Sequence, residues 1–140
     1  MRRITLDTNE FVSALSGGGK ALQLLHTAIE GEIQIAVSEP IITETIRVLR
    51  GKFDWPPYDL LAARQRLERI GRLVKPSTTL SVTEDEPDNR ILECAAESDS
   101  EFIVTEDNGL LRLKQHGKAQ IVTSAEMLEI LQREAGRATE

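Results

Sequence analysis

Short apolar runs rich in β-branched residues alternate along the chain with longer segments in which apolar residues have a helical spacing. This alternation is typical of a parallel sheet covered by helices, so we predict an α/β fold. The apolar runs predict five short strands, at residues 4–6, 33–37, 73–74, 101–105 and 120–123.

Five helices are predicted between and after these strands. One follows the glycine break at 17–19, and a second follows Pro57. Two more begin near Ser38 and Pro87, where a proline and acidic residues suit the first turn of a helix. The last begins at Ser124.

The size and composition of the chain indicate one globular domain. The 140 residues are 40% hydrophobic and 29% charged, which is enough apolar material for a single core. We predict one domain over residues 1–134 and a polar tail over 135–140. Cys94 is the single cysteine, so an internal disulfide framework and a cysteine-rich zinc site are excluded, and we interpret it as a small core residue. No apolar run approaches about 18 residues, and an acid at Asp7 precedes any signal-peptide core, so we expect a cytoplasmic protein with no membrane segment.

Charge is unevenly distributed along the chain, although the net charge is −6. Residues 47–75 carry eight basic and three acidic side chains, whereas residues 76–110 carry ten acidic side chains and a single basic one. A basic surface beside an acidic cluster would suit an enzyme that uses a metal on a polyanion, and solvated helix faces are the alternative interpretation.

Four acidic residues occupy positions where functional side chains are expected. Asp7 and Asp107 follow predicted strands, and in open α/β sheets ligands bind beyond the carboxyl ends of strands. Glu44 and Asp88 lie beside the apolar stripes of two helices. Taken singly, each is more often a helix cap or an edge residue that reaches water than a functional residue. Together, four carboxylates at one sheet edge would repel each other unless a divalent cation neutralised them.

Oxygen ligands favour Mg²⁺ or Mn²⁺ over zinc. The only histidines, His26 and His116, have no metal-ligand spacing with a cysteine or with each other. We predict that His26 lies on the polar side of its helix and that His116 lies in a turn with Gly117. The sequence also contains no arrangement that indicates covalent catalysis by serine or cysteine.

Four segments carry a resemblance to a known family. They are LDTNEFVSAL at 6–15, SEPIITE at 38–44, DNRILECA at 88–95 and IVTEDNGLL at 103–111. In this order and spacing they resemble the PIN-domain nucleases, in particular the toxin-like (VapC-like) group of prokaryotic toxin–antitoxin systems. The resemblance implies a three-layer fold with a central, mainly parallel sheet of about five strands flanked by helices.

The resemblance also implies a set of functional residues. The residues that would bind Mg²⁺ or Mn²⁺ and catalyse RNA hydrolysis are Asp7, Glu44, Asp88 and Asp107. Asn9 and Thr105 would orient these carboxylates by hydrogen bonding. Many relatives carry a further aspartate where this chain has Gly109, so either one or two metals could be bound, with Glu106 or Asp85 as an outer partner.

RNA would be held by arginines of the basic segment, because the planar guanidinium suits phosphate and stacks on unpaired bases. The candidates are Arg47, Arg50, Arg64 and Arg66. Residues 53–58 hold the only tryptophan and tyrosine, which either pack the loop onto the body or contact a base or a partner. Further expected partners are a small antitoxin, which would insert a basic side chain among the carboxylates, and a second copy of the chain in a dimer.

Three other classes are weighed against the nuclease. A receiver-type phosphoacceptor domain needs a lysine at the end of a late strand, and residues 121–124 contain none. A haloacid-dehalogenase-like phosphatase needs an aspartate where Asn9 stands. A catalytically silent PIN-like binding or assembly module is the remaining alternative, although a scaffold would be free to lose the four acids.

Overall fold

Six strands form one sheet in the computed structural model, which describes residues 1–138. The strands are β1 (Arg2–Leu6), β2 (Ile33–Ser38), β3 (Arg72–Val74), β4 (Phe102–Val104), β5 (Gln115–His116) and β6 (Ala119–Val122). Their order across the sheet is β3-β2-β1-β4-β6-β5. All neighbouring pairs are parallel except β5 with β6. The predicted α/β fold with a mainly parallel sheet is confirmed.

The sheet contains one strand that the sequence did not predict. His116 was expected in a turn, but it pairs with Ala119 in an antiparallel hairpin formed by β5 and β6. The turn follows at Gly117, whose φ of 59° is left-handed and suits glycine. A strand of two residues is too short to show an alternating pattern, so no hydrophobic periodicity predicts it.

Helices cover both faces of the sheet. The helices in the described residues are α1 (Thr8–Ser16), α2 (Gly19–Ile29), α3 (Glu39–Phe53), α4 (Pro57–Ile70), α5 (Glu86–Ser98), α6 (Asn108–Leu111) and α7 (Ser124–Ala138). The five predicted helices correspond to α2, α3, α4, α5 and α7, whereas α1 and α6 were not predicted. Helix α7 continues to Ala138, through most of the predicted polar tail, and the last two residues of that tail lie outside the described residues. Within residues 1–138 no helix combines the length and apolar character needed to cross a bilayer.

The core lies on both sides of the central strands. Ile4 and Leu6 of β1, Ile35 of β2 and Ile103 of β4 are fully buried, as expected for parallel strands covered by helices. Cys94 is buried with them, and this burial raises the pKa of its thiol to about 12. The thiol is therefore protonated and unreactive at neutral pH, in agreement with its predicted place in the core.

Gly71 marks a close approach of the chain between α4 and β3. A Cβ at this position would lie 2.8 Å from Val37 Cγ1 and 3.1 Å from the Leu67 carbonyl oxygen. We expect Gly71→Ala to lower the free energy of unfolding by about 1–3 kcal/mol, because the buried sheet would have to shift. Gly51→Ala in α3 is the control, since a Cβ there has no neighbour within 4 Å. It should raise stability by about 0.5–1 kcal/mol through helix propensity, and urea unfolding of both variants measures the contrast.

Candidate active site

Two aspartates follow neighbouring parallel strands at their carboxyl ends. Asp7 follows β1, and Asp107 lies three residues beyond β4. The Asp7 backbone N–H donates to the Val104 carbonyl at 2.9 Å, which extends the strand pairing up to the first carboxylate. Asp107 begins α6, and its side chain accepts from the Leu110 N–H at 3.0 Å. The capping interpretation of Asp107 is therefore correct, and Oδ2 is the carboxylate oxygen that makes the cap.

Thr105 connects the two aspartates. Its hydroxyl donates to Asp7 Oδ2 at 2.7 Å and accepts from the Asp107 backbone N–H at 2.9 Å. The side chain is fully buried, so neither bond competes with water. Thr105 thus has the orienting position that the resemblance implied. Asn9 does not share it, because its side chain is exposed and only its backbone N–H acts on the Asp7 carboxylate.

Asp88 approaches the same place from helix α5. Asp85 caps this helix by accepting from the Asp88 N–H at 3.2 Å, so Asp88 lies one turn inside it. Burial raises the pKa of the Asp88 carboxyl to about 7, and the charges of Asp85, Asp107 and Asp7 add to this effect. Burial also raises the pKa of Asp7, against the hydrogen bond from Thr105. Asp7 and Asp88 are therefore partly desolvated, and the negative charge of Asp107 acts on both of them.

Gly109 lies directly against the Asp107 carboxylate. A Cβ placed at this glycine would lie 3.0 Å from Asp107 Oδ2 and 3.9 Å from Asp88 Oδ2. A further aspartate here, as in many relatives, would begin directly against the Asp107 carboxylate. Any side chain at Gly109 would therefore require the Asp107 carboxylate to shift by a few tenths of an ångström.

Glu44 is separate from the three aspartates. Its carboxylate accepts two hydrogen bonds from Arg47, at 2.9 Å from Nε and 2.6 Å from Nη2. This pairing lowers the pKa of Glu44, and none of the three aspartates acts on it. Glu44 does line a cavity of about 180 Å³ together with Thr8 and Pro87, which are the neighbours in sequence of Asp7 and Asp88. The side chain is thus close to the site but directed to its own arginine.

The donor chemistry of the site fits a hard divalent cation. Asp7, Asp88 and Asp107 offer only oxygen ligands, and a cation would offset the burial and the repulsion that raise the pKa of Asp7 and Asp88. Among residues 1–138, no three acidic, histidine or cysteine side chains are already arranged as a metal cage. Binding would therefore require side-chain rotations of the aspartates as well as of Glu44.

A second carboxylate pair adjoins the site and was not predicted. Glu10 lies in the first turn of α1, is 4% exposed, and has its pKa raised to about 7 by burial and by Glu106. Glu106 also accepts from the backbone N–H and the hydroxyl of Ser124, at 3.0 and 2.7 Å. Glu10 is three residues after Asp7, so the signal was present, but it could be interpreted only once α1 was recognised as a helix.

The predicted RNA-binding arginines differ in their surroundings. Arg47 pairs with Glu44, and Arg64 pairs with Glu39 and, at 3.1 Å, with Glu68. Arg50 and Arg66 are exposed and form no ion pair within the described residues. Two of the four arginines are thus available to a phosphate without breaking an existing contact.

The aromatic loop between α3 and α4 has both buried and exposed members. Trp55 is half-buried and packs against a small cluster that includes Val12 and Leu49. Phe53 and Tyr58 are exposed. The tryptophan therefore fastens the loop to the body, and the two other rings are the ones available for contact with a base or a partner.

Thr105→Val tests the connection between the two aspartates. We expect the free energy of unfolding to fall by about 1–3 kcal/mol, because the Asp107 N–H and one Asp7 oxygen lose a buried partner. Metal-dependent activity should fall by about 10–100-fold, the usual cost of removing a group that orients a metal ligand. Thr27→Val is the control, since the Thr27 hydroxyl donates to the Gln23 carbonyl on an exposed face. Equal stability of the two variants would contradict the role of Thr105.

Comparison with known proteins identifies the family. The PIN domain family model matches residues 3–109, which include all three converging aspartates and Glu44. A crystal structure of VapBC2 from Rickettsia felis bound to a DNA fragment from their promoter contains a chain with the same fold, at a TM-score of 0.60 and 14% identity, covering 85% of this chain and 96% of that one. No curated protein sequence matches significantly. On the family match, which spans most of its length, the chain belongs to the PIN domain family.

Proposed function

We propose that the protein is a ribonuclease that depends on Mg²⁺ or Mn²⁺. PIN domains are generally nucleases and generally use divalent metals. The observation that carries the proposal is the convergence of Asp7, Asp88 and Asp107 at the carboxyl edge of the sheet, with the pKa of Asp7 and Asp88 raised. Carboxylates that repel each other in a desolvated site are stabilised by a cation, and a scaffold would gain nothing from keeping them.

The residues of the site have separate tasks in this mechanism. Asp7, Asp88 and Asp107 would hold the cation, joined by Glu44 after rotation of its side chain. When bound, a divalent cation supplies an activated water and stabilises the charge of the transition state for phosphodiester hydrolysis. Thr105 keeps the Asp7 carboxylate in place, and the exposed arginines of α3 and α4 hold the phosphates that flank the cleaved bond. No side chain is required as a nucleophile.

We further propose that the protein is the toxin component of a toxin–antitoxin pair in the cytoplasm. The support is the shared fold with a chain of the VapBC2 complex, together with the cluster of Asp7, Asp88 and Asp107. A small antitoxin would inhibit the enzyme by placing an arginine or lysine among the carboxylates, where it replaces the cation. A dimer of the toxin is part of the same proposal.

The nuclease proposal is tested by cleavage of single-stranded RNA with purified protein in Mg²⁺, in Mn²⁺ and in EDTA. We expect cleavage in both metals and none in EDTA. Asp107→Asn should lower the rate by about 100-fold or more, because asparagine keeps the helix cap but loses the charge. Asp99→Asn is the matched control, since Asp99 is exposed at the end of α5 in a left-handed conformation that asparagine also adopts.

A folded wild-type protein that cleaves no RNA in either metal would favour the alternative function, a catalytically silent PIN-like binding module. The toxin proposal has a separate test. Expression of the wild-type protein should arrest growth of its host, and expression of Asp107→Asn should not. Normal growth in both cases would contradict the toxin assignment and leave the nuclease in place.

A further inference from the structure

The ion pair between Glu44 and Arg47 uses the whole Glu44 carboxylate. Nε and Nη2 of the guanidinium each bind a different carboxylate oxygen, at 2.9 and 2.6 Å. The two residues are three positions apart on α3, so the pair forms within the helix and needs no other element. A carboxylate that is bound on both oxygens by an arginine has only its remaining lone pairs for a cation, so it can turn toward the metal site only by leaving the arginine.

The Glu44–Arg47 ion pair lies at the protein surface, beside the candidate metal site. Glu44 lines a cavity together with Thr8 and Pro87, the sequence neighbours of Asp7 and Asp88, so a freed carboxylate has open space on that side. The Arg47 side chain is 64% exposed, and its guanidinium is open to ligands from solvent. Lys52 is the other cation that acts on Glu44, from two turns further along α3.

Phosphate is the natural competitor for this guanidinium. A phosphodiester oxygen and a carboxylate both accept the two-pronged hydrogen bonds of arginine, and an exposed ion pair is held only weakly. Arg47 cannot bind both groups through Nε and Nη2 at once. Binding of an RNA backbone at Arg47 and release of Glu44 are therefore coupled.

We propose that Arg47 is a positioning residue that keeps Glu44 out of the metal site until the phosphate backbone of a single-stranded nucleic acid takes its guanidinium. This inference rests on the proposed nuclease function. It makes completion of the metal site depend on bound substrate, so that the free enzyme holds the cation weakly through three aspartates. Reciprocity then requires that the metal also strengthens binding of the backbone.

The first test is the affinity of the full chain for Mn²⁺, measured by isothermal titration calorimetry without nucleic acid. Arg47→Gln should bind Mn²⁺ about fivefold or more tightly than the wild-type protein, a typical size of coupling between two sites. Arg50→Gln is the matched control. It also removes one positive charge from α3, one turn after Arg47, and Arg50 forms no ion pair in the described part of the chain. It should change the affinity by less than about twofold, since an exposed charge is screened by solvent and salt.

The Glu44→Gln background separates release of Glu44 from a general effect of charge. In that background Arg47→Gln should no longer improve Mn²⁺ binding, because there is no carboxylate to release. Equal improvement in both backgrounds, or equal improvement by Arg47→Gln and Arg50→Gln, would overturn the proposal. Circular dichroism before each titration establishes that the variants are folded.

The second test uses a single-stranded oligothymidylate, whose integrity is checked on a gel after each titration. The oligomer should raise the Mn²⁺ affinity of the wild-type protein more than that of Arg47→Gln, and an uncharged methylphosphonate oligomer should affect neither. An equal effect of the phosphate oligomer on both proteins would overturn the inference. If no variant binds Mn²⁺ at all, the proposed function fails together with the inference, whereas Mn²⁺ binding that is insensitive to Arg47 contradicts the inference alone.

Discussion

Asp88→Asn is expected to lower metal-dependent RNA cleavage by about 100-fold or more while making the metal-free protein more stable. The loss of activity follows from removal of a charged ligand. The gain in stability follows from the raised pKa, because at neutral pH the wild-type protein holds a desolvated carboxylate against Asp85, Asp107 and Asp7. Asparagine has nearly the same shape and carries no charge to desolvate or repel.

The pH dependence of the free energy of unfolding determines the direction of the expected change in stability. The pKa of Asp88 is about 7 in the folded protein, against an ordinary value of 3.8. Between these two values the folded state retains a proton that the unfolded chain releases, so stability falls as the pH rises through this window. Asp88→Asn should therefore melt at a higher temperature than the wild-type protein at pH 8 in EDTA, and the difference should shrink at pH 5.

Two controls make this result specific. Asp99→Asn, which changes an exposed aspartate at the opposite end of α5, should change neither cleavage nor melting. Addition of Mg²⁺ should raise the melting temperature of the wild-type protein and leave that of Asp88→Asn nearly unchanged, because a ligand stabilises only the form that binds it. A variant that melts lower than the wild-type protein at pH 8 would contradict the repulsion on which the prediction is based.

The predicted strands agree best with the structure where the strand residues are fully buried. Ile35 to Val37 in β2 and Phe102 to Val104 in β4 are continuous apolar runs, and such runs are what a parallel strand covered on both faces requires. The same logic could not find α1 or α6, because each begins directly at an aspartate that follows a strand and has no separate start signal. It also could not find β5, which is held only by its hairpin partner.

The sequence alone could place the candidate site at the carboxyl edge of the sheet, but it could not determine which side chains contact each other there. Asp7 and Asp107 could be found because they follow buried strands, and the chain order of parallel strands brings such ends together. The direction of Glu44 depends on its rotamer, and the sequence offered two partners, the metal site and Arg47 three residues later. The burial of Glu10 depends on how α1 packs, which no spacing in the sequence specifies.

Glu10→Gln is expected to raise the free energy of unfolding of the metal-free protein at pH 8. The pKa of Glu10 is about 7 in the folded state and 4.5 ordinarily, so folding becomes less favourable as the pH rises between these values. The full penalty above that window is about 3 kcal/mol at most, and glutamine removes it without changing the shape of the side chain. We expect a gain of about 1–3 kcal/mol at pH 8 and little change at pH 5, measured by urea unfolding in EDTA.

The partner in this effect is Glu106, and the double variant distinguishes repulsion within the pair from burial alone. Glu106→Gln should also stabilise the protein at pH 8, since a glutamine oxygen can still accept from Ser124. If the two carboxylates repel each other, either variant relieves the same repulsion, so the combined gain must be smaller than the sum of the two. If the two gains in stability are strictly additive, burial alone destabilises the charged form of Glu10, without a contribution from Glu106. Glu129→Gln, on the exposed side of α7, should change stability by less than about 0.5 kcal/mol and calibrates the loss of one surface charge.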